Sequence, residues 1–300
     1  ASTTGLGSVT VTQNGAIGSG GDPVTNDGIQ ATVNNAANTK LVLVTTNASI
    51  DAGNNGVTAT TNGLGGVKVD QTAGTITAGN DGINATITNA VNVAGNVVVN
   101  TSAGAAILAT NNGIVATTVG EGDVFVTNAG NTKATNGDGI FAAVNGPGLP
   151  SSDGFVTVDN KAGATASSTN GAGIKALNNS NDDVVVSNAG TVSGATFGIT
   201  AKTTGIGGAV TVTQTGGSTA QTGADTGAGI SAVITAAGNS DQVFVNLTGG
   251  TVTATGDGVF ARTAGTGLVK VDVAGGVTVT GGSAGGVSNG DGVVAIAAGG

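Results

Sequence analysis

The heptapeptide "NGDGIFA", Asn136–Ala142, returns almost unchanged as "TGDGVFA", Thr255–Ala261, and more loosely as "TNDGIQA", "GNDGINA", "TNNGIVA" and "NGDGVVA". Its constant part is a Gly, then Ile or Val, then any residue, then Ala. The word occurs ten times, beginning at Gly28, Gly56, Gly82, Gly113, Gly139, Gly173, Gly198, Gly229, Gly258 and Gly292, at intervals of 25 to 34 residues. Self-similarity at that spacing marks a stack of small repeated units.

Working outward, each copy follows a period-2 apolar word by about 14 to 24 residues. These read "VTV", "LVLV", "VKV", "VVV" or "VFV", from Val9 to Val269. Between the two lies a weaker word, a Gly, one residue and an aliphatic, as in "GTITA" at Gly74, "GTVSG" at Gly190 and "GTVTA" at Gly250. Three units blur it, with Thr132, Thr165 and Ser218 read in the aliphatic slot. Period-2 segments bounded by Gly, Asn and Asp are strand grammar, and no stretch carries a helical period. Three short strands per unit predict an all-β chain, a right-handed parallel β-helix (β-solenoid) of about ten coils. Stacked about 4.8 Å apart, ten coils make a rod of roughly 50 Å. Residues 1–300 read as one β-solenoid repeat domain, expected to be an internal segment of a longer array, because neither end carries the polar cap that solenoids need.

In each Gly-aliphatic-x-Ala word the aliphatic and the Ala should face inward. Ala31, Ala59, Ala85, Ala116, Ala142, Ala176, Ala201, Ala232, Ala261 and Ala295 would then form one core column, at a corner with room only for a methyl group. The Gly is expected to supply φ > 0 at a turn. The residue before it is Asp27, Asn55, Asp81, Asn112, Asp138, Ala172, Phe197, Ala228, Asp257 or Asp291. Asp and Asn suit such turns and bond nearby backbone. Pro23, Pro147 and Pro150 fall between strand words, where no ladder donor is lost. The longest insertions, such as "NGPGLPSSDG" from Asn145, sit at the coil-closing turn and should line one rim.

Composition agrees with a thin core. The chain has 57 Gly, 6 Phe and no Trp, Tyr, Met, His or Cys, and 8% of its residues are charged, against roughly 25% in ordinary domains. Disorder is opposed by the recurring strand words, and collagen by three prolines and no Gly-X-Y period. No apolar run reaches the roughly 20 residues of a membrane helix, so no membrane insertion of this segment is expected. A net charge of −9 makes nucleic acid a poor partner. The chain opens on "ASTTGLG" without a visible leader, and a Cys-free sequence suits passage across a membrane unfolded.

Without His, Cys or Tyr, most catalytic and zinc constellations cannot be built, and the seven lysines are scattered singly. Asp257 above Asp291 is the best carboxylate pair, at a separation suiting a retaining glycosidase; the favoured reading is that each serves its own turn. The nonapeptide calcium word is absent, leaving Asp182 and Asp183 as one weak local cation pair. A flat threonine face for ice is not found in the first strand word, whose outward pairs vary from Thr10/Thr12 to Lys68/Asp70 and Phe125/Thr127. No enzyme, cofactor or metal site is therefore expected. The one surface feature is aromatic: Phe125 and Phe141 should flank coil 5 outward, and Phe244 and Phe260 coil 9, as possible partner contacts.

The "VxV…GxIxA…GDGIxA" layout resembles the passenger regions of autotransporter-type bacterial surface proteins, through all ten units. The resemblance implies a right-handed β-helix, export across the outer membrane of a Gram-negative cell, and an adhesive or display role. The C-terminal barrel of that family is not in this sequence. The expectation is a non-enzymatic extracellular β-solenoid, a stalk, adhesin or display segment contacting a host or neighbouring-cell surface. The alternative is a filament or surface-layer subunit whose partner is itself, through coil-end stacking.

Overall fold

A computed structural model of the chain describes residues 1–146, 154–224, 227–282 and 290–299. These form thirty short strands and no helix, arranged in three parallel sheets of eleven, ten and nine strands. From the second coil onward, every coil adds one strand to each sheet. The first word of the unit supplies the ten-stranded sheet, from Val9–Gln13 to Val269–Val273. The middle word supplies the nine-stranded sheet, from Ile50–Ala52 to Thr278–Thr280. The Gly-aliphatic-x-Ala word supplies the eleven-stranded sheet, which also takes in Ser2–Thr3. The chain is a β-solenoid of about ten coils.

Register is strict because slipping by one residue would turn every inward side chain out. Ile114 pairs with Ile140 and Ile140 with Ile174; Ala116 likewise pairs with Ala142 and Ala142 with Ala176. The interior is a set of columns; the valines of the ten-stranded sheet and the Ile/Val and Ala of the eleven-stranded sheet repeat almost unchanged, and the others vary. The largest fully buried side chains are isoleucines and Leu247, each worth about 1.5–3 kcal/mol of burial. The middle-sheet column runs Ile76, Ile107, Thr132, Ala166, Val192, Thr219 and Val252. Thr132 thus fills the inward slot, whereas Thr165 and Ser218 do not: each stands one residue before the true occupant. A glycine-counted word misplaces them because the turn before each strand differs in length.

The alanines from Ala31 to Ala261 are fully buried. They stand at the centre of five-residue strands such as Ile29–Val33, so their small size answers to the thickness of the core and not to a corner. Ala295, in the last coil, is exposed, because no further coil covers it.

The glycine ahead of the aliphatic has another reason than a left-handed backbone. None of these ten glycines has positive φ; that conformation belongs to others, among them Gly74 and Gly250 ahead of the middle strands. A Cβ at Gly28 would lie 2.7 Å from the carbonyl oxygen of Gly56, and one at Gly198 would lie 2.6 Å from that of Gly229 and 2.5 Å from Thr219 Cγ2. Coils stack so closely here that only hydrogen fits.

The Asp and Asn before these glycines also act between coils, and not within their own turns. Asp27 Oδ1 accepts the amide of Asn55, Asn55 Oδ1 that of Asp81, Asp81 Oδ1 that of Asn112, and Asn112 Oδ1 that of Asp138. Asp138 Oδ1 then accepts the amide of Ala172 at 2.8 Å. The ladder lapses at Ala172, Phe197 and Ala228, which lack the acceptor, and resumes where Asp257 accepts the amide of Asp291.

A second polar ladder is buried. Asn128 Nδ2 donates to Asn160 Oδ1 at 2.8 Å, Asn160 Nδ2 to Asn188 Oδ1 at 2.8 Å, and Asn188 Nδ2 to Thr219 Oγ1 at 3.1 Å. Gln71 and Gln214 fill the same column; Gln71 Nε2 donates to Gly74 O in its own coil and Ala106 O in the next, and Gln214 Nε2 to Gly249 O and Thr251 O in the next. Buried amides are tolerable here because their N–H groups find carbonyl or side-chain acceptors in their own or the next coil; Gln71 Oε1 is the exception, buried without a partner among the described residues.

Pro23 lies outside the strands; Pro147 and Pro150 lie outside the described residues. The edge from the eleven-stranded to the ten-stranded sheet carries long connections, such as those between Val33 and Val42 and between Ile87 and Val97. It does not carry all of them. The links from Gln221 to Ile230 and from Thr280 to Val293 lie at a different edge.

Candidate functional site

The four singled-out phenylalanines do point outward, but they do not form one patch. Phe125 and Phe244 lie on the ten-stranded sheet, Phe141 and Phe260 on the eleven-stranded sheet. All four are half-buried. Two are covered from the next coil. Lys175, the register partner of Phe141, places Nζ 5.4 Å from its ring centroid, and Lys270, the partner of Phe244, stands 5.1 Å above that ring. Each lysine is held by a carboxylate, Asp138 at 3.5 Å and Asp272 at 2.6 Å. Phe141 and Phe244 are therefore engaged within the chain. Phe125 and Phe260 have Thr157 and Val294 above them instead.

Two further phenylalanines matter more than their sequence neighbourhoods suggested. Phe155 is 43% exposed. Phe197 replaces the Asp or Asn of the outer ladder and, with Ala228, Ser231, Asp257 and Phe260, lines an open cleft of about 220 Å³.

The larger feature is an apolar edge. Leu6, Val91, Val93, Ile206 and Leu268 keep between 61% and 71% of their surface exposed. All five lie in the connections from the eleven-stranded to the ten-stranded sheet, where Leu41 and Phe155 also stand. Leu108, on the middle sheet, is apart from them.

Asn side chains clamp several turns of this edge. Asn38 Nδ2 donates to Gly5 O and Gly7 O on either side of Leu6, at 2.9 and 2.8 Å. Asn239 does the same to Gly205 O and Gly207 O around Ile206, at 3.1 and 2.9 Å. Asn92 holds Gly63 O and Gly65 O around Leu64, both at 3.0 Å. Asn38, Asn92 and Asn239 are fully buried. The signal was present in the sequence as "TTGLGSVTVTQ" from Thr3 and "TTGIGGAVTVTQ" from Thr203. A search keyed on the Gly-aliphatic-x-Ala word passes over it.

Each acidic candidate is engaged with the backbone of a neighbouring coil. Asp257 and Asp291 are joined by an amide-to-carboxylate bond of 3.0 Å, and no shared proton or substrate geometry follows from it. Asp182 Oδ2 accepts the amide of Gly154, and Asp183 Oδ1 that of Ala209, so both carboxylates cap neighbouring coils. Among the described residues no three acidic side chains gather to hold a metal ion, and no helix is long and apolar enough to cross a membrane.

No family model matches the chain, and no curated protein and no solved structure matches it. Its likeness to autotransporter passengers accordingly rests on repeat style and composition, and the class defined by the structure is the β-solenoid.

Proposed function

We propose that this chain is a non-enzymatic structural and adhesive β-solenoid, a display segment on the outside of a Gram-negative cell. The observation that carries the reading is the apolar edge. The most exposed large apolar side chains gather at this edge, while Leu108 on the middle sheet and Val273, Val293 and Ile296 in the last coil are less exposed; such a concentration marks a contact surface. The clamped turns hold Leu6 and Ile206 in place, so a partner would meet a partly preformed ridge. Repetition along the rod makes many weak contacts additive in the multivalent sense. The repeat-style likeness to autotransporter passengers supports the surface location.

The test is adhesion. Beads coated with the pure protein should be retained on cultured cells or on an apolar surface. A variant carrying Leu6→Thr, Val91→Thr, Val93→Thr, Ile206→Thr and Leu268→Thr should keep its fold and lose most retention. Equal retention of both would defeat the adhesive reading. Electron microscopy of the same preparation separates display from self-assembly, since concentration-dependent filaments would make end-to-end stacking the principal role.

A further inference from the structure

The two near-identical heptapeptides differ in what covers them. In coil 5, Asp138 and Phe141 hold Lys175: Asp138 Oδ1 accepts the amide of Ala172, Oδ2 faces the lysine at 3.5 Å, and the ammonium stands 5.4 Å from the Phe141 centroid. In coil 9, Asp257 and Phe260 repeat the arrangement. Asp257 Oδ1 accepts the amide of Asp291. Its second oxygen has no hydrogen-bond or ion-pair partner among the described residues. The position equivalent to Lys175 is Val294. Arg262, two residues along the strand, forms no ion pair with Asp257 and stands over neither ring among the described residues.

The space below is also different. Ala228 lacks the side chain that fills the outer ladder in other coils, and Ser231 is small. The resulting cleft of about 220 Å³ is walled by Phe197 and Phe260, with Asp257 and Ser231 supplying oxygens. Phe197 and Phe260 sit two coils apart, about 10 Å along the rod.

We infer that the Asp257–Phe260–Phe197 cleft binds an external alkylammonium group, the headgroup of a lysine side chain or of a small amine. The chemistry is that which the chain already uses on Lys175: a carboxylate pairs with the charge while a ring face receives the cation. Both contacts are half-buried in a cleft open to solvent, so a single ammonium binds weakly, with a dissociation constant of roughly millimolar order. The inference does not depend on the adhesive reading, since a rod with no surface partner would still carry the cleft.

The experiment is aromatic NMR of the full chain with labelled phenylalanine, whose six spin systems make the spectrum easy to assign. Titration with butylammonium should shift the Phe197 and Phe260 ring signals saturably and leave Phe155 unmoved; butanol should not shift them. Asp257→Asn keeps an oxygen for the Asp291 amide and should weaken butylammonium binding several-fold. Val294→Lys, placed as Lys175 is over Phe141, should pair with Asp257 from the following coil and weaken the saturable shift. A lysine-containing peptide binding more tightly than butylammonium would assign the cleft to a polypeptide partner, and equal binding to small amines. No saturable shift, or the same shift with butanol, would overturn the proposal.

Discussion

Asn160 accepts a hydrogen bond from Asn128 Nδ2 at 2.8 Å and donates one from its own Nδ2 to Asn188 at the same distance. The three residues occupy one register position in successive coils. A side-chain amide carries both donor and acceptor, so it can extend the chain of bonds in both directions, as an apolar side chain cannot. The ladder therefore specifies register where an apolar column would merely fill space.

Replacing Asn160 by Ala should destabilise the fold by about 1–3 kcal/mol, because buried groups on Asn128 and Asn188 each lose a partner. Asn160→Gln should cost as much or more, since the longer side chain overpacks the column. Chemical denaturation reads both.

The glycines separate steric crowding from backbone conformation. Gly198→Ala should cost about 1–3 kcal/mol or more, because the new methyl group meets the Gly229 carbonyl, which cannot move aside. Gly15 has open space and no positive φ. Gly15→Ala should be neutral or stabilising by up to about 1 kcal/mol. Paired melting curves distinguish them.

The alanine column carries a similar contrast. Ala142→Leu should destabilise by roughly 1–3 kcal/mol through overpacking. Ala295→Leu, at an exposed position, should change stability by less than about 0.5 kcal/mol. Equal effects at the two sites would place the inward face wrongly.

Asp81 Oδ1 accepts three N–H donors, the Asn112 amide at 3.0 Å and the side chains of Asn111 and Asn112, both at 2.9 Å. Asp81→Ala should cost about 1.5–3 kcal/mol, in the range for bonds to a charged acceptor. Asp81→Asn, which keeps an acceptor, should recover at least half of that loss in the same denaturation assay.

Much of this architecture was legible because period-2 words and a fixed Gly-aliphatic-x-Ala spacing encode register directly. Strand order, the inward Ile and Ala positions and the coil number all follow from those words. What was not legible depends on the neighbouring coil. Gly28 looks like a turn glycine in sequence, and only the stacked Gly56 carbonyl reveals the crowding. Asp27 looks like the partner of its own turn, yet bonds Asn55 in the next coil. Phe141 looks like an exposed anchor until Lys175, 34 residues later, is laid over it. Asn38 and Asn128 look alike as turn formers, although one clamps the Gly5–Gly7 turn and the other builds the core ladder. The apolar edge was missed because Leu6, Val91 and Ile206 fall between the strand words on which the reading was built.

The central claim is that the repeat words stack in register, one coil per word. A chain without cysteine allows clean spin labelling at introduced pairs. Gln30 lies five register steps from Lys175 and six from Thr200. Electron–electron distance measurements on the Gln30/Lys175 and Gln30/Thr200 cysteine pairs should give about 24 and 29 Å, a step of one coil between them. Two distances that coincide, or that scale with the number of intervening residues instead of the number of words, would contradict the β-solenoid.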